Sequence, residues 1–517
     1  MSVTVNNPIM PGFYPDPSCC VVGEDFYMVH SSFAYFPGLP IMHSKDLKHW
    51  EQIGNVMERE SQLPLGETGL SRGLFAPTIR YHEGIFYVIC TNVTYGGNFI
   101  VTATNPAGPW SEPHYLEGAD GIDPSLFFDD DGKCYYIGTH PNPAGCRYDG
   151  DWFIYIQELD IESFKLIGEP LNVWNGAMKG VHWPEGPHLY KINGYYYIIH
   201  AEGGTGPEHA ICVARSRTVF GPYENNFCNP IFTHRHLGQK YPIKYVGHGD
   251  LFQTANGEYY MVMLAVRPTH GYTTMGRETF LAGVCFENGW PVVNPGLGML
   301  SDTLLVNLEE WLPEEGASIP SCDRNYQFAK VKELGPEILK LRNPKEGFYE
   351  LKEGEGLYME CQNIAMTEDK AASYIGVRQD SHLFEASCVF TGENLFEGAK
   401  AGLIYMQNNA HYLKFEYEGM HGNVILCRGG KEEKLASEWM PESPVTMMIR
   451  VSGLRASLFI GTGNQVRCIA QDIDIRALST EIAGGFVGCT VGIYATDTET
   501  REVPAKVCFK SFAYRRM

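Results

Sequence analysis

Five stretches of this chain carry one pattern: a turn, then an aromatic-rich run with strand character. They are Glu24-Asp25-Phe26-Tyr27-Met28-Val29, Gly84-Ile85-Phe86-Tyr87-Val88-Ile89, Gly132-Lys133-Cys134-Tyr135-Tyr136-Ile137, Gly194-Tyr195-Tyr196-Tyr197-Ile198-Ile199 and Gly257-Glu258-Tyr259-Tyr260-Met261-Val262. The turn residues fall at 24, 84, 132, 194 and 257, at intervals of 60, 48, 62 and 63 residues. A four-stranded propeller blade takes roughly 40–50 residues plus loops. A second echo points the same way. Thr102-Ala103-Thr104 running to Trp110 is answered by Val213-Ala214-Arg215 running to Tyr223, and more loosely by His43-Ser44-Lys45 running to Trp50. Each reads as a strand, a turn and an aromatic plug between blades. No convincing amphipathic helix interrupts residues 1–300, which argues against a βα barrel. The expectation is an all-β fold with a five-bladed propeller.

The repeat has a chemical register. Counting back eleven or twelve residues from the aromatic three places after each turn reaches Asp16, Ala76, Asp123, Glu185 and His248. The contexts match as well: Asp16-Pro17-Ser18, Ala76-Pro77-Thr78, Asp123-Pro124-Ser125, Glu185-Gly186-Pro187 and His248-Gly249-Asp250. In a propeller the innermost strand of each blade lines a central channel, so residues in one register meet at the axis. An acidic group there is costly unless it is paired, hydrated or used. An isolated Asp-Pro is an ordinary turn; three acids and an imidazole on separate blades are hard to explain as packing. Close carboxylates split their pKa values, which supplies a general base and a general acid at one pH. Hydrolysis of a glycosidic bond needs that pair and no cofactor. Phe13, Tyr14, Phe33, Phe75 and Trp183 lie near the motifs. They are candidates to stack on sugar faces, with packing between blades as the alternative.

Charge narrows the partners. The 61 acidic residues outnumber 40 basic ones, for a formal net charge of -21. Such a surface does not grip nucleic acid or an anionic membrane nonspecifically. No run is long and apolar enough to span a bilayer, and the start of the chain lacks a basic, apolar leader pattern. The 15 cysteines are scattered, and Cys90, Cys134, Cys212 and Cys285 sit inside apolar strands. Reduced thiols in a cytoplasm are expected. No Cys/His spacing resembles a zinc site.

The pattern changes near residue 301. Residues 1–300 are assigned to the propeller, 301–324 to a connection and 325–517 to a C-terminal β-sandwich of lectin-like, jelly-roll type. Alternating runs such as Tyr412-Leu413-Lys414-Phe415-Glu416-Tyr417 and Thr446-Met447-Met448-Ile449-Arg450-Val451 carry the sandwich reading.

These motifs together resemble the five-bladed propeller glycoside hydrolases of family 43. The nearest likeness is to β-xylosidase/α-L-arabinofuranosidase members with a C-terminal sandwich. The likeness rests on Asn7-Pro8-Ile9 with Gly12-Phe13-Tyr14-Pro15-Asp16-Pro17-Ser18, Phe75-Ala76-Pro77-Thr78-Ile79, Gly121-Ile122-Asp123-Pro124-Ser125, Trp183-Pro184-Glu185-Gly186-Pro187-His188, Gly247-His248-Gly249-Asp250 and Gly276-Arg277-Glu278-Thr279-Phe280. It implies that Asp16 is a general base, Glu185 a general acid, and Asp123 the group that orients and tunes that acid. It further implies that Arg277 binds substrate near Asp123, and that His248 stands in the channel where some members hold a hydrated calcium ion. A neutral histidine bonded to a carboxylate is the alternative for His248. Phe75 departs from many xylosidase members, which have Trp there.

The resemblance implies inverting, exo-acting release of terminal xylose or arabinofuranose from xylo- and arabino-oligosaccharides, and self-association of the chain. Competing readings are an arabinanase or fructan-cleaving enzyme of the same fold, a sugar-binding propeller without catalysis, and a protein-interaction propeller. The last two have no need of three axial carboxylates.

Overall fold

The computed structural model describes residues 2–517 except 321, 393, 394, 396, 397 and 442. Five four-stranded antiparallel sheets follow one another along the chain. Their inner strands are Ser18–Val22, Thr78–His82, Ile122–Phe128, Glu185–Ile192 and Lys244–Gln253. Each of these contacts the next, and the fifth contacts the first, so the sheets close into a ring of five blades. The repeated aromatic runs form the second strand of each blade: Asp25–Val29, Ile85–Asn92, Cys134–Pro141, Tyr195–Glu202 and Tyr259–Val266. Period-two alternation explains why they are so apolar. One face packs on the preceding blade and the other on the following blade, so neither meets water. Trp50 and Trp110 are buried, as plugs between blades should be.

The start of the chain fastens the ring. Val3–Asn6 pairs with Thr303–Val306 from beyond the fifth blade. The Asn7 side chain donates to Leu281 O at 2.8 Å and accepts from Leu281 N–H at 2.9 Å. Asn7 thereby completes a strand-like bridge with a single side chain.

The C-terminal domain is a sandwich of an eight-stranded and a six-stranded antiparallel sheet. Inward-facing Phe384, Phe390, Leu403, Phe415, Ile449 and Phe509 fill the space between them. A second apolar cluster crosses from propeller to sandwich, joining Phe33 and Leu74 to Tyr374, Ile404, Val487 and Tyr494. Arg342 is fully buried in this region. Its guanidinium donates to Thr68 O, Lys370 O, Asp369 and Asn409, so the burial is satisfied by hydrogen bonds. Gly12 lies on the same seam at φ +88, where a Cβ would stand 2.4 Å from Gln379 O. Only glycine lets the chain pass there. The two domains thus meet directly beside the turn that carries Asp16.

Candidate active site

The axial residues are presented by a shared backbone device. Asp16, Asp123 and His248 all adopt left-handed backbone, with φ of 53, 53 and 51°. The ladder between the two inner strands is bulged between Ile122 and Ser125, between Glu185 and His188, and around Gly247. A bulge turns a side chain out of the sheet and into the channel mouth. Phe33 and Trp183 are also left-handed, at φ 51 and 48°. Non-glycine residues in this region carry strain that surrounding structure must over-determine, and such strain clusters at functional sites.

Asp16, Asp123, Glu185, His248, Arg277, Phe33, Phe75 and Trp183, each singled out from sequence, line one cavity of about 440 Å³. A larger cleft of about 850 Å³ lies beside Tyr95 and Lys370, but its carboxylates Glu60, Glu67 and Glu112 are all exposed. Phe13 and Tyr14 do not line the axial cavity. They are buried, and Phe13 stacks on Phe33 at 5.8 Å, which is the packing alternative.

The three carboxyls share a register and differ in surroundings. Asp16 Oδ1 accepts from Arg277 Nη1 at 2.7 Å, and Oδ2 accepts from Ser31 Oγ at 2.5 Å. His248 Nδ1 stands 3.9 Å from Asp16 Oδ1. Burial alone would raise this carboxyl, but Arg277, His248 and Ser31 outweigh it and hold Asp16 below its ordinary value. Glu185 is the opposite case. Burial, then the like charges of Asp123 and Asp16, push it well above the usual carboxylate range, against a weaker pull from Arg277. Asp123 is raised too, by burial first, with His248 opposing and Asp16 adding. Its Oδ2 accepts from Gly186 N–H at 3.2 Å, which ties it to the residue after Glu185. One cavity therefore holds a carboxyl shifted down and two shifted up, the split that a general base and a general acid need.

Arg277 is paired with Asp16, and its charge also acts on Asp123 and Glu185. Its guanidinium lies 5.8 Å from the Phe33 ring and 5.7 Å from the Phe486 ring, and its buried Nε has no partner.

Sequence reasoning missed Trp152, Thr205 and Phe486, which also line the cavity. Phe486 comes from the sandwich. It stacks on Phe33 at 6.1 Å and meets Phe75 edge-on at 5.8 Å. Its loop is fastened to the propeller: Phe486 N–H donates to Ser71 Oγ at 2.9 Å, and Glu481 accepts from Thr273 N–H at 2.7 Å. The available signal was an aromatic inside Gly484-Gly485-Phe486-Val487-Gly488, where no core strand would place one.

A calcium ion beside His248 would be held through water rather than in a protein cage. Calcium takes six to eight oxygens. Asp250, the nearest acid along the chain, already accepts from Arg80, Ser18 Oγ at 2.6 Å and Tyr190 Oη at 2.5 Å.

A closed ring of five sheets and an axial cavity with one carboxyl shifted down and two shifted up fit a glycoside hydrolase. Comparison with known proteins agrees. The model of glycosyl hydrolases family 43 matches residues 5–291, and that of the beta xylosidase C-terminal concanavalin A-like domain matches residues 325–515. A xylosidase/arabinosidase of Butyrivibrio fibrisolvens is 50% identical over 501 residues, covering 96% of each chain. A non-reducing end alpha-L-arabinofuranosidase of Bacteroides ovatus is 37% identical, covering 95% of this chain and 91% of its own. The crystal structure of the family 43 protein BlXynB from Bacillus licheniformis superposes with a TM-score of 0.90 at 33% identity, over the full length of both chains. The chain belongs to glycosyl hydrolases family 43 and is an enzyme of that family.

Proposed function

We propose that this enzyme removes single terminal sugars with inversion, releasing xylose from short β-1,4-xylooligosaccharides and α-L-arabinofuranose from arabino-oligosaccharides. The observation that carries the mechanism is the unequal setting of two carboxyls in one cavity: Asp16 is bonded to Arg277 and Ser31 and shifted down, while Glu185 is buried beside Asp123 and shifted up. Asp16, held as a carboxylate by Arg277 and Ser31, takes a proton from the attacking water. Glu185, kept protonated by burial and by Asp123, gives its proton to the leaving oxygen. The C1–O bond breaks as the water oxygen bonds to C1 from the opposite face. Asp123 does not touch the reacting atoms; it positions and tunes Glu185. Arg277, which lines the cavity, hydrogen-bonds a sugar hydroxyl, and Phe33, Phe75 and Trp183 supply apolar walls. His248 neighbours Asp16 and helps keep it charged. No cofactor enters this chemistry.

Phe486 supports exo action, because a wall contributed by the sandwich blocks an extended polymer from running through the cavity. The names of the relatives support the choice of sugars. The working division into a catalytic propeller at 1–300, a connection at 301–324 and a sandwich at 325–517 rests on the same reading. Product analysis tests it. Xylotriose should give xylose and xylobiose first, and NMR should show the new xylose as the α-anomer. Release of β-xylose overturns inversion; release of arabinose alone from a mixed substrate set makes the enzyme an arabinofuranosidase.

A further inference from the structure

Blade 4 contains a second cluster of chemically capable groups, outside the axial cavity. His200 and Glu202 lie two residues apart on the strand Tyr195–Glu202, so period-two alternation puts them on one face. Cys212 on the neighbouring strand Ala210–Ser216 is the residue directly opposite His200. A ligand atom from each lies within 4.8 Å of the other two. All three side chains are buried, at 0% exposure for His200 and Cys212 and 2% for Glu202.

Internal hydrogen bonding does not account for this cluster. His200 Nε2 stands 2.8 Å from Glu202 Oε1. Glu202 Oε1 also accepts the Ala177 N–H. That leaves His200 Nδ1 and Glu202 Oε2 buried with no partner, and the Nε1 of Trp174, whose ring stands edge-on to His200, has none either. Buried polar atoms are nearly always paired, so two orphans on adjoining side chains call for a missing partner.

We infer that His200, Glu202 and Cys212 form a buried site for a zinc-type divalent transition-metal ion. The donor set of imidazole, carboxylate and thiolate is that of zinc or cobalt and not of calcium or magnesium, which take oxygens. Ligands of a tetrahedral zinc stand about 3.3–3.8 Å apart. The 2.8 Å between His200 Nε2 and Glu202 Oε1 would open slightly to reach that spacing, and the other separations, all within 4.8 Å, would settle to it. Binding releases the Cys212 proton to solvent and leaves the thiolate on the ion.

The position gives the ion a structural task. Residues 175–184 run over the cluster, where Gly176 comes so close that a Cβ would stand 3.1 Å from Glu202 Oε1. The same segment continues through Trp183, a wall of the active cavity, to Glu185. Just past the cluster, Gly203 N–H donates to His182 O at 2.8 Å. An ion here pins the segment that leads into Glu185 to the second strand of its own blade.

The test uses the full chain and the metal alone. Protein is refolded with CoCl₂ or ZnCl₂, desalted, and examined by elemental analysis and absorption spectroscopy. The wild type should retain about one equivalent, and the cobalt form should show a near-ultraviolet thiolate-to-metal charge-transfer band. Cys212→Ser should lose that band, and Glu202→Gln should weaken retention by about tenfold or more. Cys134→Ser and His248→Ala should keep both band and metal, which separates this site from the central channel and from other buried thiols. Retention below about 0.1 equivalent by refolded wild type overturns the site. So does an unchanged band in Cys212→Ser. If a variant fails to fold, the wild-type stoichiometry and spectrum still decide the question.

Discussion

The two sides of the catalytic cavity start from the same backbone plan and end in opposite chemistry. On the side of blades 1 and 5, Asp16 is met by a guanidinium at 2.7 Å and a hydroxyl at 2.5 Å. On the side of blades 3 and 4, Glu185 is met by burial and by a second carboxyl that is itself raised. Register decides which residues reach the axis. What each one does there is decided by the neighbours that other blades bring. Arg277 arrives from blade 5 and shifts Asp16 down; Asp123 arrives from blade 3 and shifts Glu185 up.

Substitutions that collapse this difference should have the largest effects. Asp16→Ala should reduce turnover on every glycoside by a factor on the order of 10³–10⁴ while far-ultraviolet circular dichroism stays unchanged. Activity within tenfold of wild type breaks the comparison at its base-side half. Next come two substitutions that should narrow the bell-shaped pH profile of kcat/KM from opposite sides. Arg277→Ala removes the foremost influence lowering Asp16, so the acid limb should move to higher pH. Asp123→Asn removes the foremost charge raising Glu185, so the alkaline limb should move to lower pH. A limb that stays in place denies the corresponding neighbour its tuning role. The smallest effect should come from the sandwich. Phe486→Ala should raise KM several-fold, through loss of about 1 kcal/mol of aromatic contact, and should leave both pH limbs where they are. A shifted limb there would mean that the sandwich tunes charge and does not merely wall the pocket.

Much of this was legible in the chain because a propeller repeats. The spacing from Tyr27, Tyr87, Tyr135, Tyr197 and Tyr260 back to Asp16, Ala76, Asp123, Glu185 and His248 is a property of the blade, so residues far apart in sequence declared a common destination. Contacts outside the repeat left no such trace. The Arg277–Asp16 pair joins a loop in the middle of the fifth blade to the start of the first across 261 residues. Phe486 reaches the cavity from a domain with no repeat to count along. Phe13 and Phe33 read alike as aromatics near a motif, yet only Phe33 faces the cavity, because the left-handed backbone at Phe33 turns it there. His200, Glu202 and Cys212 were invisible as a group, since the strand pairing that unites them is not a sequence spacing.

The central claim is that Glu185 is the protonated partner in an asymmetric pair, and its leaving-group dependence tests this most directly. The measurement is kcat/KM of Glu185→Ala on xylobiose and on a xyloside of a strongly acidic phenol. A general acid matters only when the leaving oxygen needs a proton. The account predicts a loss on the order of 10²–10⁴-fold on xylobiose and a much smaller loss on the activated xyloside. Equal losses on the two substrates would contradict it.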